Sequence, residues 1–283
     1  LESVEGGDTR GRYSIIGLKP DVIWRTQGDR PEINRRALVD TQSFEPCGTG
    51  ALASLRALIA ESRIDLPEDL PPMAAGVFGY TGYDTIRLIE NLPNQRPDRL
   101  GLPDGLFLRP TIIAVFDSVK DEVTVVTPVR PEPGVNARAA YARAGERLTD
   151  VVADFDRSLP HVDQVENAAD MPEPKSNTPQ ETYFDMVRKA KEYIAAGDIF
   201  QVVLSQRFEA PFTLPAFSLY RALRRINPSP YLYFLNFENF SIVGSSPEIL
   251  VRVRDNKVTI RPIAGTRHRG KSASEDAAIG EEL

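Results

Sequence analysis

Apolar and polar positions along the chain fall into two patterned halves separated by a stretch with no period. Arg12 to Gly17 and Asp21 to Trp24 carry the alternation and β-branched content of strands, split by the turn residues Lys19-Pro20. From Gly50 to Ser62, Leu52, Leu55, Ala57, Leu58 and Ile59 recur at helical spacing. Thr111 to Phe116 and Val123 to Thr127 predict a β-hairpin, and Val135 to Phe155 a long amphipathic helix. Asp156 to Thr178 is polar, holds Pro160, Pro172 and Pro174, and reads as a linker.

The pattern restarts at Thr178-Pro179-Gln180-Glu181, which has the spacing of a capping box with proline at the first helical position, and the predicted helix ends at Gly197. Asp198 to Phe208 alternates, with Phe200, Val202, Leu204 and Phe208 on one face and Gln201, Ser205 and Arg207 on the other. A short helix over Leu219 to Ile226 leads to the rigid turn Asn227-Pro228-Ser229-Pro230. Tyr231 to Asn236, Ser241 to Val243, Ile249 to Arg254 and Lys257 to Pro262 follow as strands, the last two joined by Asp255-Asn256 in a tight hairpin, and a final helix starts near Ser274. Consecutive strands after a helix predict an α+β fold with antiparallel sheets rather than a βαβ arrangement. The expected division is a region over 1–155, a linker over 156–178 and a second region over 179–283.

Composition narrows the chemistry. Among 283 residues, 40 acidic against 34 basic side chains give a net charge of −6, so there is no basic footprint for nucleic acid. Cys47 is the single cysteine, which excludes a disulfide framework within the chain. With His161 and His268 as the only histidines, any metal is expected to be a hard cation on oxygen ligands. No membrane-length apolar run and no signal segment is present, so the chain reads as cytoplasmic. It begins at Leu1 without methionine and stops inside a predicted helix, so it is expected to be a fragment.

No Walker loop, nucleophile elbow, HExxH or dinucleotide fingerprint occurs. The glycines of Gly76 to Gly82 are spaced for close backbone approach in a strand and turn rather than for cradling phosphate. Ile263 to Gly270 brackets a hydroxyl and two guanidinium groups between glycines, which suits a carboxylate-binding loop or, equally, a solvated basic turn. The face at Gln201, Ser205 and Arg207 is a ligand surface or simply the wet side of a strand. The residues by themselves point to an α+β protein that binds a small anionic ligand.

Six ordered segments carry a resemblance: Leu1-Glu2-Ser3, Gly11-Arg-Tyr-Ser-Ile-Ile-Gly17, Gly197-Asp-Ile-Phe-Gln-Val-Val-Leu-Ser-Gln-Arg-Phe208, Asn227-Pro-Ser-Pro-Tyr-Leu-Tyr-Phe234, Gly244-Ser-Ser-Pro-Glu248 and Arg261-Pro-Ile-Ala-Gly-Thr-Arg267. Together they resemble the chorismate-utilising enzymes, and within them the anthranilate synthase component I group. The resemblance implies antiparallel sheets in a sandwich with flanking helices, 1–155 being regulatory and 179–283 the first, incomplete part of the chorismate-binding domain. It implies conversion of chorismate and ammonia to anthranilate and pyruvate with Mg²⁺, ammonia coming from glutamine through an amidotransferase subunit in a hetero-oligomer. Tryptophan would be the feedback inhibitor.

The implied site residues are specific. Gln201 stands where water-using relatives carry a lysine base, and Ala264 where 4-amino-4-deoxychorismate synthases carry a nucleophilic lysine. Gly265 and Thr266 would contact substrate, giving Gln201, Ala264, Gly265 and Thr266 as the catalytic set. Glu2, Ser3, Arg12, Pro230, Tyr231 and Leu232 would form the tryptophan site, with carboxylate and hydroxyl groups on the polar end of the amino acid. The family's Mg²⁺-binding glutamates, its catalytic histidine and its chorismate-holding arginine and tyrosine fall after Leu283, so no metal ligand is assigned here. The competing expectations are a 4-amino-4-deoxychorismate synthase and, for this piece alone, a tryptophan-binding module without chemistry.

Overall fold

In the computed structural model, which describes residues 1–3, 11–158, 172–262 and 265–282, the first regular element is one long strand, β1 (Tyr13–Gln27). Two strands were expected across Lys19-Pro20. The chain bulges there instead: Lys19 takes a positive φ of 49°, and the register against β5 (Gly105–Asp117) slips between Pro20 and Val22. Pairing resumes at Val22↔Arg109, so the missing proline N–H costs one rung and not the strand. With β2 (Arg30–Asn34), β3 (Glu45–Pro46) and β4 (Phe78–Thr81) the order is β3-β2-β1-β5-β4, and β6 (Glu122–Val126) also pairs with β5, every pairing antiparallel.

Helix α1 (Ala51–Glu61) covers this sheet. Its first N–H groups have no partner within the helix, and the Asp29 carboxylate accepts from Ala51 N at 2.6 Å. Its last turn holds no basic residue, but Arg130 Nη2 donates to Ser62 O at 3.3 Å, placing a cation against the negative end of the helix. Ala51 and Leu58 pack on Val22 and Trp24, with Ile33, Leu55 and Phe107 around them. Ile15, Ile113 and Val115 form a second core cluster with Phe78. The glycine-rich stretch behaves as its spacing suggests at Gly79, where a Cβ would meet Leu106 O and lie 2.7 Å from Phe107 Cα. After β6, α2 (Ala137–Phe155) starts at its cap, Asn136, whose Oδ1 accepts from Ala139 N at 2.9 Å.

Two compact units are present: Leu1–Arg157 with Ala216–Leu283, and Ser158–Pro215. The expected second region, 179–283, is thus shared between them. The smaller unit holds β7 (Lys175–Ser176), inside the expected linker, then α3 (Gln180–Ala196) and β8 (Phe208–Glu209), which pairs with β7. Gly197 closes α3 in the left-handed region at φ 80°, as expected. The capping box does not form: Pro179 is the cap residue, and Thr178 Oγ1 donates to Asn177 Oδ1. The strand expected over Asp198 to Phe208 is confined to Phe208–Glu209. Alternation alone does not make a strand; among the described residues no strand ladder forms along 198–206, Arg207 O accepts from Asn177 N at 2.8 Å beside the β7–β8 pair, and Phe200 and Val203 stand 95% and 84% exposed.

In the larger unit, α4 (Ala216–Ile226) precedes the hairpin of β9 (Tyr231–Asn236) and β10 (Ser241–Ser246), then that of β11 (Arg252–Arg254) and β12 (Lys257–Thr259), and finally α5 (Ala273–Glu281). Asp255 and Asn256 both have positive φ, 51° and 57°, the two-residue turn their sequence predicts. The architecture is α+β with antiparallel sheets.

Candidate functional site

The site is built around the first three residues. Glu2 forms antiparallel bridges to Ser14 in β1 and to Leu232 in β9. Glu2 N donates to Leu232 O and Leu232 N to Glu2 O, both at 2.8 Å, while Ile15 N donates to Leu1 O at 2.7 Å and Ser3 N to Tyr13 O at 3.3 Å. Residues 1–3 therefore act as a strand joining the large sheet to the β9–β10 hairpin. This puts Glu2 and Ser3 beside Pro230-Tyr231-Leu232, although more than two hundred positions separate the two groups.

Side chains reinforce the seam. Glu2 Oε2 accepts from Tyr220 Oη and Arg224 Nε, and Oε1 from Arg224 Nη2, each at 2.7 Å; Ser14 Oγ adds a bond to Oε1 at 3.1 Å. Burial alone would raise the Glu2 carboxyl, but the bonds from Arg224, Tyr220 and Ser14 outweigh it and hold its pKa below the ordinary value. Burial first, and then the bond to Glu2, push the Tyr220 phenol upward. Tyr220 is fixed by rings: Phe217 stacks on it at 5.7 Å, and Phe234 of β9 lies 6.0 Å away. Sequence reasoning predicted a helix here and gave neither Tyr220 nor Arg224 a role. The signal available was their spacing of four, which puts both on one face.

The Ser3 hydroxyl accepts from Gly11 N at 2.9 Å. Arg12 forks onto Asp117, Nε to Oδ1 at 2.8 Å and Nη2 to Oδ2 at 2.7 Å. That fork, aided by the N–H groups of Lys120 and Val119, draws the Asp117 carboxyl down to about 2. Its folded value lies below its unfolded one, so the stabilisation is complete above about pH 4 and is lost as the pH falls toward 2. Arg12→Met is expected to be less stable than the wild type at pH 5, with the gap closing by pH 2; urea unfolding at both values checks this.

Two of the resembling segments pack on each other. Ser229, after the proline turn, donates to Ser246 O, and Ser245 Oγ donates to Asn227 O at 2.9 Å. Gly244 lies across from Tyr233 in the β9–β10 ladder, and a Cβ there would enter the Tyr233 ring, so the glycine makes room for the aromatic. Glu2, Ser14, Tyr220 and Phe234 line an open cleft of about 1910 Å³, larger than a typical small-molecule pocket. Of the six residues expected for tryptophan, Glu2 alone lines it.

The expected catalytic residues are spread over both units. Gln201 is exposed, in the irregular stretch of the smaller unit. Gly265 and Thr266 lie in an exposed irregular segment of the larger unit, where Arg269 pairs with Asp276 at 2.8 Å. Ala264 and Ile263 lie outside the described residues, as do 159–171 of the expected linker. Among the described residues no group of three or more His, Cys, Asp or Glu is placed to hold a metal ion, so those residues do not fit Mg²⁺. Among them, too, no helix is long and apolar enough to cross a membrane.

Known proteins align with this arrangement along its whole length. The chain is 56% identical over 283 residues to anthranilate synthase component 1 of Cereibacter sphaeroides, covering 100% of this chain and 57% of that protein. Against the protein of the same name from Thermus thermophilus it is 40% identical over 285 residues, with the same coverages. A crystal structure of anthranilate synthase component I from Streptococcus pneumoniae superposes with a TM-score of 0.77 at 27% identity, covering all of this chain and 58% of that one. The chain thus spans little more than half the length of the relatives it matches. The family model described as chorismate binding enzyme matches residues 17–283, which takes in the β9–β10 hairpin, α4 and the segment at Gly265, and the chain accordingly belongs to the chorismate-binding enzyme family.

Proposed function

We propose that the whole protein is an anthranilate synthase component I, a cytoplasmic enzyme of tryptophan synthesis. It converts chorismate and ammonia to anthranilate, pyruvate and water. The observation that carries this reading is the full-chain identity of 56% to a protein of that name, within a family that binds chorismate. Ammonia forms the new carbon–nitrogen bond on the ring as the hydroxyl leaves as water, and elimination of the enolpyruvyl group as pyruvate restores aromaticity. A neutral amide at Gln201 supports amination over hydration, because it cannot serve as the base that activates water. Alanine at position 264 removes the amine nucleophile of the alternative 4-amino-4-deoxychorismate reaction. Gly265 and Thr266 would offer substrate a backbone N–H and a hydroxyl. Mg²⁺ would be the cofactor of the whole protein.

Residues 1–155 would be regulatory and 179–283 would begin the catalytic region, joined through 156–178. Ammonia would come from a glutamine amidotransferase, component II, in a hetero-oligomer. Tryptophan would bind where Glu2-Ser3 lies beside Pro230-Tyr231-Leu232, with Arg12 near the polar end, and would inhibit by binding two conformations unequally.

The test uses the protein at the full length of its relatives, with chorismate, ammonium and Mg²⁺. Blue anthranilate fluorescence and equimolar pyruvate are expected, falling as tryptophan is added. Accumulation of 4-amino-4-deoxychorismate in place of anthranilate would overturn the reading.

A further inference from the structure

In the seam between the sheet and the hairpin, the Glu2 carboxylate receives four donors, which is all that its two oxygens accept. So engaged, it has no lone pair left for the ammonium group of an amino acid. Its side chain works as a peg, and the holes are on α4. Tyr220 and Arg224 stand one helical turn apart, and the aromatic contacts of Tyr220 with Phe217 and Phe234 fix the helix to β9.

We propose that Tyr220 and Arg224 are positioning residues for the tryptophan site: through Glu2 they keep residues 1–3 docked on Leu232, so that both walls of the site exist before the ligand arrives. This rests on the reading that tryptophan binds there. The Arg224 side chain is 45% exposed, so its ion pair adds little to global stability. Backbone bonds tie residues 1–3 to Tyr13 and Ile15 on one side and to Leu232 on the other, and freeing them from Leu232 restores the chain entropy that docking removes. The loss therefore falls on ligand affinity: if the strand is docked one-tenth of the time, the apparent Kd rises about ten-fold.

Calorimetric titration of tryptophan into the full-length protein tests this, with chorismate KM and the thermal midpoint measured alongside. Arg224→Met is expected to raise the tryptophan Kd about ten-fold, more than it raises the chorismate KM. Arg224→Lys, which keeps the charge but not the fork, should recover part of the loss, and Tyr220→Phe should show a smaller loss. Glu2→Gln combined with Arg224→Met should bind no more weakly than Arg224→Met alone, since the peg and its hole act as one unit. Tryptophan binding by Arg224→Met within two-fold of wild type, or an equal rise in chorismate KM, overturns this inference while leaving the site itself standing. A wild-type protein that fails to bind tryptophan overturns both.

Discussion

Replacing Trp24 by alanine is expected to lower the unfolding free energy by about 3–5 kcal/mol. Trp24 is 2% exposed and fills the space between β1 and α1, against Val22, Ala51 and Leu58. Phe107 lies 6.0 Å away at a tilt of 54°. The indole N–H also donates to Ser54 Oγ at 2.9 Å inside the core. Alanine removes the ring, leaves a cavity that α1 and β5 cannot close, and takes away a partner of the buried Ser54 hydroxyl. Trp24→Phe keeps most of the volume and loses the hydrogen bond, so a cost of about 1–2 kcal/mol is expected. Urea unfolding of the three proteins checks the order, and a loss below about 1 kcal/mol for alanine would contradict the packing of α1 on β1.

Gly79→Ala should be nearly as damaging, for the opposite reason. The added methyl meets the carbonyl oxygen of Leu106 and lies 2.7 Å from Phe107 Cα, on the strand with which Gly79 is paired. Backbone atoms cannot swing aside as a side chain can, so β4 must lift from β5. A cost at or above the upper end of the usual overpacking range, about 3 kcal/mol, is expected. The disturbance would reach the site, because Tyr80 on β4 packs on Phe237 and Phe240 in the turn of the β9–β10 hairpin, at 5.6 and 6.3 Å. Soluble yield and the urea midpoint are the readouts. Gly48→Ala, with no heavy atom within 4 Å of the new methyl, is the control and should change little.

Elements that carry their own punctuation were legible in the sequence. β9 has the bounds its pattern predicts, α3 stops at its left-handed glycine, and Asp255-Asn256 turns as two residues with positive φ must. Elements that depend on a distant neighbour were not. The bulge in β1 is visible only once β5 runs past it on both sides. The helix expected from Leu219 starts at Ala216, because Phe217 is held by Phe234 of a later strand, at 5.3 Å. In Asp198 to Phe208 the opposite happened: the alternation was present, but the partner strand was not. At the site, the pairing of Glu2 with Leu232 followed from resemblance and not from periodicity. Arg224 and Tyr220 went unread because nothing local to α4 announces an acidic partner more than two hundred positions away.

That separation gives the seam a history. Glu2 meets Ser14 across 12 positions and Arg224 across 222. Closing the longer loop costs roughly 2–3 kcal/mol more chain entropy than closing the shorter one. At about 5–20 residues per second of synthesis, roughly ten to forty seconds pass between the emergence of Ser14 and that of Arg224. During that interval residues 1–3 can pair with β1 but present an open edge where β9 will later lie, the kind of edge that recruits foreign strands. The surface on which the tryptophan reading depends is completed only once β9 has been made, and a chain whose synthesis stops before Leu232 has that edge uncovered.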